Sequence, residues 1–585
     1  MLRPEAARMR LNRLWWIALA LGVLGLVALS LPYALSAHYL EKGSVRLVQG
    51  DPPALHAAVE DLERAVALDG RNVQARRQLA RAYLILAQPQ SALAALQPAL
   101  DVAPKNPLVS LELVDVYTAL GQAEAAVQTY EAGGLGMPSA AAAAAYLQRA
   151  EERRQAGDRI AAVELWRKAL VADPGNLYAL WQLRQAARVA GDDATAAHYE
   201  EQLRYSDLRS VAVPSHVQLA EYQGRAMAQL AEAGIWTDET LHNIASYQVW
   251  QFAQGEVGRH TERVLQALLW DRPGDIDLRF YLAELYHRRG EWEQAEAAYR
   301  AVLERDAAYA QAMLRLGMVF QARGRLAEAA DWYARYRALA PDDLLGLERL
   351  VEVHEVLGAP DTTALREQLR DRSDDRRIAA QLLGVPADAV QLGENLVRNG
   401  DFESWLSGRP EWWSVSNMAT GDPWNEGLFI GGREELDAPD GSAMRIQGMW
   451  LRQEPDKEPG RWGYWYFDER SRRIATLPLE PDGVYLISFD YRSDAEEGQG
   501  AAVYVSDREE VLWRGDRRLP KTGYAWRHFV AVAANRSGAE ATMRLLLRHW
   551  GSGVMAFDRV RVSRLELPGE LRGALDTARF WSSGL

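Results

Sequence analysis

Aromatic rings carry the most suggestive chemistry in this sequence. Trp462-Gly463-Tyr464-Trp465-Tyr466-Phe467 sets five rings in six positions, in a stretch bounded by Pro455, Asp456, Pro459 and Gly460. A flat ring can stack on the apolar face of a pyranose while nearby polar groups bond its hydroxyls. That makes Trp462 and Trp465 candidate carbohydrate-binding residues, with Trp424, Trp513 and Trp526 beside them. If the segment is a regular strand, Trp462, Tyr464 and Tyr466 share one face and Trp465 and Phe467 the other, so one row is core and one free. Core packing is the competing place for any single Trp, but the last 191 residues hold 11 of the 20 Trp, more than a domain core of that size needs.

Catalytic groupings are sparse. The sequence has no Gly-x-Ser-x-Gly elbow, no phosphate-binding Gly-rich loop before a Lys and no His-Glu-x-x-His helix. Asp468-Glu469 and Glu509-Glu510 offer paired carboxylates, but adjacent residues on a strand point to opposite faces. With no Cys there are no disulfides, thiolate metal sites or cysteine nucleophiles. The reading is therefore non-enzymatic, with an enzyme acting on envelope glycan as a distant alternative. A net charge of -13, with Arg interspersed among Asp and Glu, argues against a nucleic-acid partner.

The elements that position the rings are strands. Tyr485, Ile487, Phe489 and Tyr491 alternate with Leu486, Ser488, Asp490 and Arg492, placing one row in a core and the other toward a second face. Short strands separated by Gly, Asp, Pro and Asn turns predict an antiparallel sandwich over residues 395–566 and a C-terminal tail over 567–585. Residues 372–394, with Gly384 and Pro386, are expected to form a linker.

Asn395-Leu396, the phrase Asn399-Gly400-Asp401-Phe402-Glu403, the segment Pro410 to Trp413 and the ending Phe557-Asp558-Arg559-Val560-Arg561-Val562 resemble the opening and closing strands of carbohydrate-binding modules of the galactose-binding-like jelly-roll class. The resemblance implies an all-β jelly roll and a glycan ligand. It also implies a structural calcium joining the first and last strands, with Glu403 and Asp558 at the matching positions, since carboxylate and backbone oxygens suit Ca²⁺.

Upstream, a 34-residue period recurs. Ala80, Tyr83, Ala92, Leu96, Ala99 and Pro104 form one unit; Gly317, Phe320, Gly324, Ala329, Tyr333 and Pro341 form a late one. The spacing resembles the tetratricopeptide repeat. It implies an all-α solenoid of roughly eight units over residues 42–371, whose groove holds a protein partner. Ala and Gly are expected where helices approach closely, and aromatic residues between hairpins. The array is interrupted at Gly133 to Pro138, and residues 205–260 keep helical periodicity with little of the consensus.

Leu14 to Ala37 lacks any charged side chain, enough at 1.5 Å per residue to cross a hydrocarbon layer of about 30 Å. Arg3, Arg8, Arg10 and Arg13 precede it, so residues 1–13 are expected in the cytoplasm, 14–37 as a transmembrane helix and the bulk outside. The whole reads as a multidomain, membrane-anchored extracytoplasmic scaffold of the cell envelope or of polysaccharide assembly. The alternative is a purely structural assembly factor that binds no sugar.

Overall fold

The computed structural model describes residues 19, 29–48, 52–133, 136–204, 206, 217–406, 409–417, 428–436, 438–439, 441–449, 462–467, 477–494, 500–507, 510–519, 521–535, 538–550, 553–568 and 581–582. The chain forms two compact units. The first takes Met1–Glu200, Ser215–Gln223 and Gly255–His260; the second takes Glu201–Pro214, Gly224–Gln254 and Thr261–Leu585.

The first unit is a run of paired helices. Asn72, Asn106 and Asn176 start three of them, Val73–Ile85, Pro107–Ala119 and Leu177–Ala190, each side chain accepting a backbone N–H at 3.0 Å. Ala80 of Val73–Ile85 and Ala92 and Ala99 of the next helix, Pro89–Val102, are buried in one core, as the repeat spacing predicts. The interruption at Gly133 to Pro138 ends one helix, Ala123–Ala132; Ser139 then caps Ala140–Gln155.

The N-terminal expectation falls mostly on residues 14–18 and 20–28, outside the described residues. Its end does not. Ser36, inside the helical residues 29–48, is fully buried, donates to Ala65 O at 2.8 Å and accepts from Asn72 Nδ2 at 3.1 Å. The repeat array therefore begins by residue 36 rather than 42. Among the described residues no helix is long and apolar enough to cross a membrane.

In the second unit the same steric logic recurs. A Cβ on Gly317 would lie 2.5 Å from the Tyr333 ring, and one on Gly346 would lie 2.5 Å from the Tyr336 ring. Only hydrogen fits there, so the helices Ala310–Ala322, Leu326–Leu339 and Leu344–Leu357 close on each other through glycine and tyrosine.

Among the described residues fifteen strands follow: β1 Gln391–Asn395, β2 Trp405–Leu406, β3 Arg409–Pro410, β4 Trp413–Asn417, β5 Leu428–Glu434, β6 Ala443–Met449, β7 Trp462–Phe467, β8 Leu477–Leu479, β9 Val484–Ser493, β10 Gly500–Asp507, β11 Glu510–Arg518, β12 Arg527–Ala534, β13 Ala541–Trp550, β14 Gly553–Glu566 and β15 Trp581–Ser582. A 7-stranded sheet runs β15-β12-β9-β14-β6-β5 with β1 on β14. A 6-stranded sheet runs β11-β10-β13-β7-β4 with β8 on β13. Ile446, Ile487, Phe489, Phe529 and Phe557 of the first sheet meet Met543, Leu545 and Leu547 of the second in one apolar core.

Three expectations need correction. Residues 372–394 are not a free linker: Asp374 caps the helix Asp375–Leu383, whose Ile378, Ala379 and Ala380 pack against Leu486, Val530, Val532 and Leu565 on the outer face of the 7-stranded sheet. The tail is not all tail, because β15 pairs with β12 at the sheet edge. Finally, all ten residues of β9 are buried, so the row Ser488, Asp490 and Arg492, expected on a second face, is covered as well.

Candidate functional site

The opening phrase and the closing strand are stitched together. Asn395 Oδ1 accepts from Val397 N and Val562 N at 3.1 and 3.0 Å, while its amide donates to Val560 O at 3.1 Å. Val560 N donates to Gly400 O at 2.7 Å, and a Cβ on Gly400 would fall 2.0 Å from Val560 O, so the approach requires glycine. Asn399 holds a left-handed φ of 50° while its amide donates to Ser404 O and Glu411 O. Phe402 packs edge-on against Trp413 at 5.3 Å. Glu403 Oε1 accepts from Ser442 N at 2.9 Å, and the fully buried Asp558 Oδ1 accepts from Arg559 N at 2.7 Å. Each candidate calcium carboxylate thus has a protein donor of its own, and among the described residues the two do not fall in a group of three ligating side chains.

Beside Asp558 the register of β14 shifts, and Arg559 takes a φ of 48°. That bulge turns Arg559 toward the helices. Its Nη2 donates to Glu348 on Leu344–Leu357 at 2.8 Å, and its Nε donates to Asp490 of β9. The other Asp490 oxygen bonds His528 Nδ1 at 2.6 Å; His528 Nε2 meets Asp375 Oδ1 at 3.0 Å. A chain of alternating charge, Glu348, Arg559, Asp490, His528 and Asp375, therefore runs between two helices and three strands. Burial lowers the His528 pKa, but its bonds to Asp375 and Asp490 outweigh that and raise it to about 9. Burial raises Glu348 to about 7 against the pull of Arg559. Burial also raises Asp490, yet Arg559 and His528 leave its carboxyl below the usual range.

A cavity of about 510 Å³ opens next to this chain, lined by Asp374, Asp375, Asn399, Asp401, His528 and Arg561 among others. Its lining mixes donors and acceptors and contains no Trp, Tyr or Phe.

A second polar clasp joins Asp238–Gln251 and Ile276–Arg288 to β5 and β6. The buried Arg445 lies 4.5 Å from the Trp250 ring and pairs with Glu434 at 2.8 Å, which also takes Arg288 at 2.8 Å. Gln447 donates to Asn243 O at 2.9 Å. On the outer face of the 7-stranded sheet the polar Arg445, Gln447 and Asp490 and the apolar Leu486, Val530 and Val532 are all buried.

His242 Nε2 stands 3.0 Å from Asp275 Oδ2, and its Nδ1 stands 3.9 Å from Asp277. These three could hold a metal by distance. However, Arg272 Nε lies 3.3 Å from the same Asp275 oxygen, and Asp275 caps the helix Ile276–Arg288 through Leu278 N. That arrangement is satisfied as an ion pair.

The five candidate indoles are dispersed. Trp424 lies outside the described residues. Trp526 is fully buried, its backbone bonded to Asp343, so it offers no open ring face and is corrected from site to packing residue. Trp465 stands opposite the core residue Leu547, and Trp513 opposite Val505, whose other neighbour is the core residue Met543. Trp462 stands opposite Trp550, in the alternate row. The register thus sets positions 465 and 513 on the core face and position 462 on the other.

Sequence reasoning missed Glu348, Asp375, Asp490, His528 and Arg559. The available signal was the polar row of β9 set in an otherwise apolar strand. The links of the chain it belongs to span 38 to 211 positions, beyond any local pattern.

Family models for the tetratricopeptide repeat match residues 84–150 and 280–343. A curated relative, Cellulose synthase operon protein C of Salmonella typhimurium, is 28% identical over 176 residues, which is 28% of this chain and 15% of that protein; this chain thus spans a small part of its relative's length. Among solved structures, MamA is 19% identical over 27% of this chain and 89% of its own, with a TM-score of 0.22. PilW, described as a widely conserved type IV pilus biogenesis factor, is 17% identical over 39% and 92%, with a TM-score of 0.21. The chain carries tetratricopeptide repeats, in a mostly helical array followed by a strand-rich C-terminal region.

Proposed function

We propose that this chain is a membrane-anchored, extracytoplasmic scaffold without catalytic activity, in which repeats of the first unit bind a protein partner and the sandwich binds a glycan during envelope or polysaccharide assembly. One observation carries the reading. In the second unit the helix Ala310–Ala322 is buried without interruption from Ala312 to Phe320, and Leu344–Leu357 from Leu344 to Glu348, so these repeats are covered on more than one side. In the first unit Val73–Ile85 buries only Ala75, Leu79, Ala80 and Ala82, and leaves Gln74 and Arg81 exposed. Repeats already covered by their own chain have little face to offer, whereas Val73–Ile85 does, although Ala140–Gln155 of the same unit is itself buried from Ala141 to Leu147. A relative named for a cellulose synthase operon agrees with a place beside polysaccharide assembly. Residues 14–37 supply the anchor in this reading, and Glu403 and Asp558 supply carboxylates to a structural calcium.

The alternative, a purely structural assembly factor, is favoured by a different observation: one sheet of the sandwich already serves as a protein-docking surface, for the helices of its own chain. Two experiments separate the readings. Photo-crosslinkers at Gln74 and Arg81 in living cells are expected to trap an envelope protein. The full-length chain is expected to bind immobilised glycans and to lose that binding on Trp462→Ala. A folded chain that binds no glycan leaves only the structural reading.

A further inference from the structure

The cavity beside the buried charge chain has lining groups that the fold leaves unused. Its volume of about 510 Å³ falls within the roughly 300–1,000 Å³ of small-ligand sites. Asn395, Asn399, His528 and Arg559 line it with hydrogen bonds already made inside the protein. The carboxylates are less fully engaged. Asp375 gives Oδ1 to His528, but its Oδ2 stands 3.7 Å from Arg561 Nε, too far for a hydrogen bond. Asp374 caps the helix Asp375–Leu383 through Oδ1, and its Oδ2 stands 4.0 Å from Arg377 Nε. Asp401 is exposed on the turn that follows Gly400. For Arg561 the distant contact with Asp375 is the one ion pair among the described residues. Directly opposite Arg561 in the ladder, Ser488 is fully buried, and its Oγ finds no partner among the described residues.

These groups narrow the ligand. An anion would suit Arg561 and be opposed by three carboxylates, whereas an ammonium would leave the guanidinium unanswered. Among the described residues Asp374, Asp375 and Asp401 form no group of three ligating side chains, so a bare metal ion is poorly held. A neutral molecule dense in hydroxyls meets every requirement, because a hydroxyl both donates and accepts. Adjacent hydroxyls on one ring also match the paired atoms of a carboxylate or a guanidinium, and Leu392 and Val397 supply apolar lining for the C–H groups of that ring.

We propose that this cavity binds a neutral sugar residue, with Asp374, Asp375 and Asp401 accepting from its hydroxyls and Arg561 donating to them. It is a site apart from Trp462 on β7, and the two fail separately.

Saturation-transfer NMR on the full-length chain tests it, with glucose, galactose, cellobiose and glucuronate as probes. A neutral probe is expected to bind and glucuronate to bind more weakly. The pair Asp401→Ala, Arg561→Ala is expected to weaken the neutral sugar about tenfold or more, since each removes a bond to a charged group. Asp401→Ala alone, on an exposed turn, is expected to weaken it less, and Trp462→Ala not at all. The single variant keeps the test open even if the pair misfolds. A disaccharide that gains over glucose marks the end of a chain as the source, and equal affinities mark a free sugar; both uphold the site. Binding lost in Trp462→Ala but kept in both cavity variants overturns the cavity while leaving glycan binding intact. No neutral probe bound by folded protein overturns the proposal, and so does glucuronate bound as tightly as glucose.

Discussion

Asp343 accepts a hydrogen bond at 2.5 Å from the backbone N of Trp526, 183 positions away, and with its other oxygen caps the helix Leu344–Leu357 through Gly346 N. Leu344 N returns a bond to Trp526 O at 3.0 Å. A sandwich held this way is not a module swinging on a hinge. The last repeats and the β-domain share buried polar bonds, and the second unit is expected to lose its helices and strands together.

Asp343→Ala is therefore expected to remove a cap and to leave the Trp526 N–H buried without its acceptor. Loss of a cap costs about 1 kcal/mol, and an unsatisfied buried donor about 1–3 kcal/mol, so the variant is expected to lose about 2–4 kcal/mol. Urea unfolding followed by far-ultraviolet dichroism and by tryptophan fluorescence checks this. Both signals should shift together; a fluorescence transition moving alone would mean that the sandwich unfolds separately.

The buried charge chain sets a pH profile. His528 is raised from 6.5 to about 9, so its contribution is complete below pH 6.5 and is lost as pH climbs through 9. That shift corresponds to on the order of 3 kcal/mol. Glu348 is raised from 4.5 to about 7, so the penalty for ionising it grows from pH 4.5 to 7 and acts in the same direction. Asp490, held below its usual value of 3.8, loses its contribution only in stronger acid. Thermal stability of the second unit is thus expected to be highest near pH 4.5, above the range in which Asp490 protonates and below that in which Glu348 ionises, and to fall toward pH 9, and His528→Gln is expected to flatten the alkaline limb. An unchanged alkaline limb in that variant would rule out His528 as its source.

Much of this fold was legible because its signals are local. Gly317 and Tyr333 sit 16 positions apart at repeat spacing, and the structure places one against the other. The pairing of Asn395 with the closing strand follows from a phrase that marks both ends of the sandwich. The docking of Asp375–Leu383 under the sheet was not legible, since Gly384 and Pro386 read as breakers when they in fact terminate a packed helix. Trp526 misled for a related reason: an indole in a polar turn looks exposed, yet this one is fully buried and its backbone is bonded to Asp343, 183 positions upstream.

Gly317→Ala tests the close approach of helices. The added methyl would fall 2.5 Å from the Tyr333 ring, and overpacking of this kind costs about 1–3 kcal/mol. The double variant Gly317→Ala, Tyr333→Leu is expected to recover part of the loss, because the smaller side chain vacates the ring's place. A double-mutant cycle by chemical denaturation measures the coupling, and simple additivity would mean that the two residues do not oppose each other.

Calcium, if it joins the opening and closing strands, must stabilise the folded chain by mass action. Adding millimolar Ca²⁺ to chelator-treated protein is expected to raise the melting temperature, and Glu403→Gln is expected to abolish that response. The variant also weakens the acceptor for Ser442 N, so its basal stability is no guide, and the calcium-dependent increment is the quantity to read. A wild-type melting curve indifferent to Ca²⁺ and chelator alike would remove calcium from the account.

The proposed membrane anchor would give way to the first repeat near Ser36. That hydroxyl donates to Ala65 O and accepts from Asn72, while Leu47 further along the same helix packs in the first repeat's core. Deleting residues 1–28 is therefore expected to release the chain from alkali-washed membranes while leaving repeat stability unchanged. Deleting 1–48 removes Ser36 and Leu47 as well, and exposes Leu62 and Ala65 on the helix Pro52–Leu68. Burying one aliphatic side chain contributes roughly 1.5–3 kcal/mol, so the longer deletion is expected to lower the first unit's melting temperature by several degrees. Retention of the shorter product in the membrane pellet would place the anchoring surface somewhere other than residues 14–37.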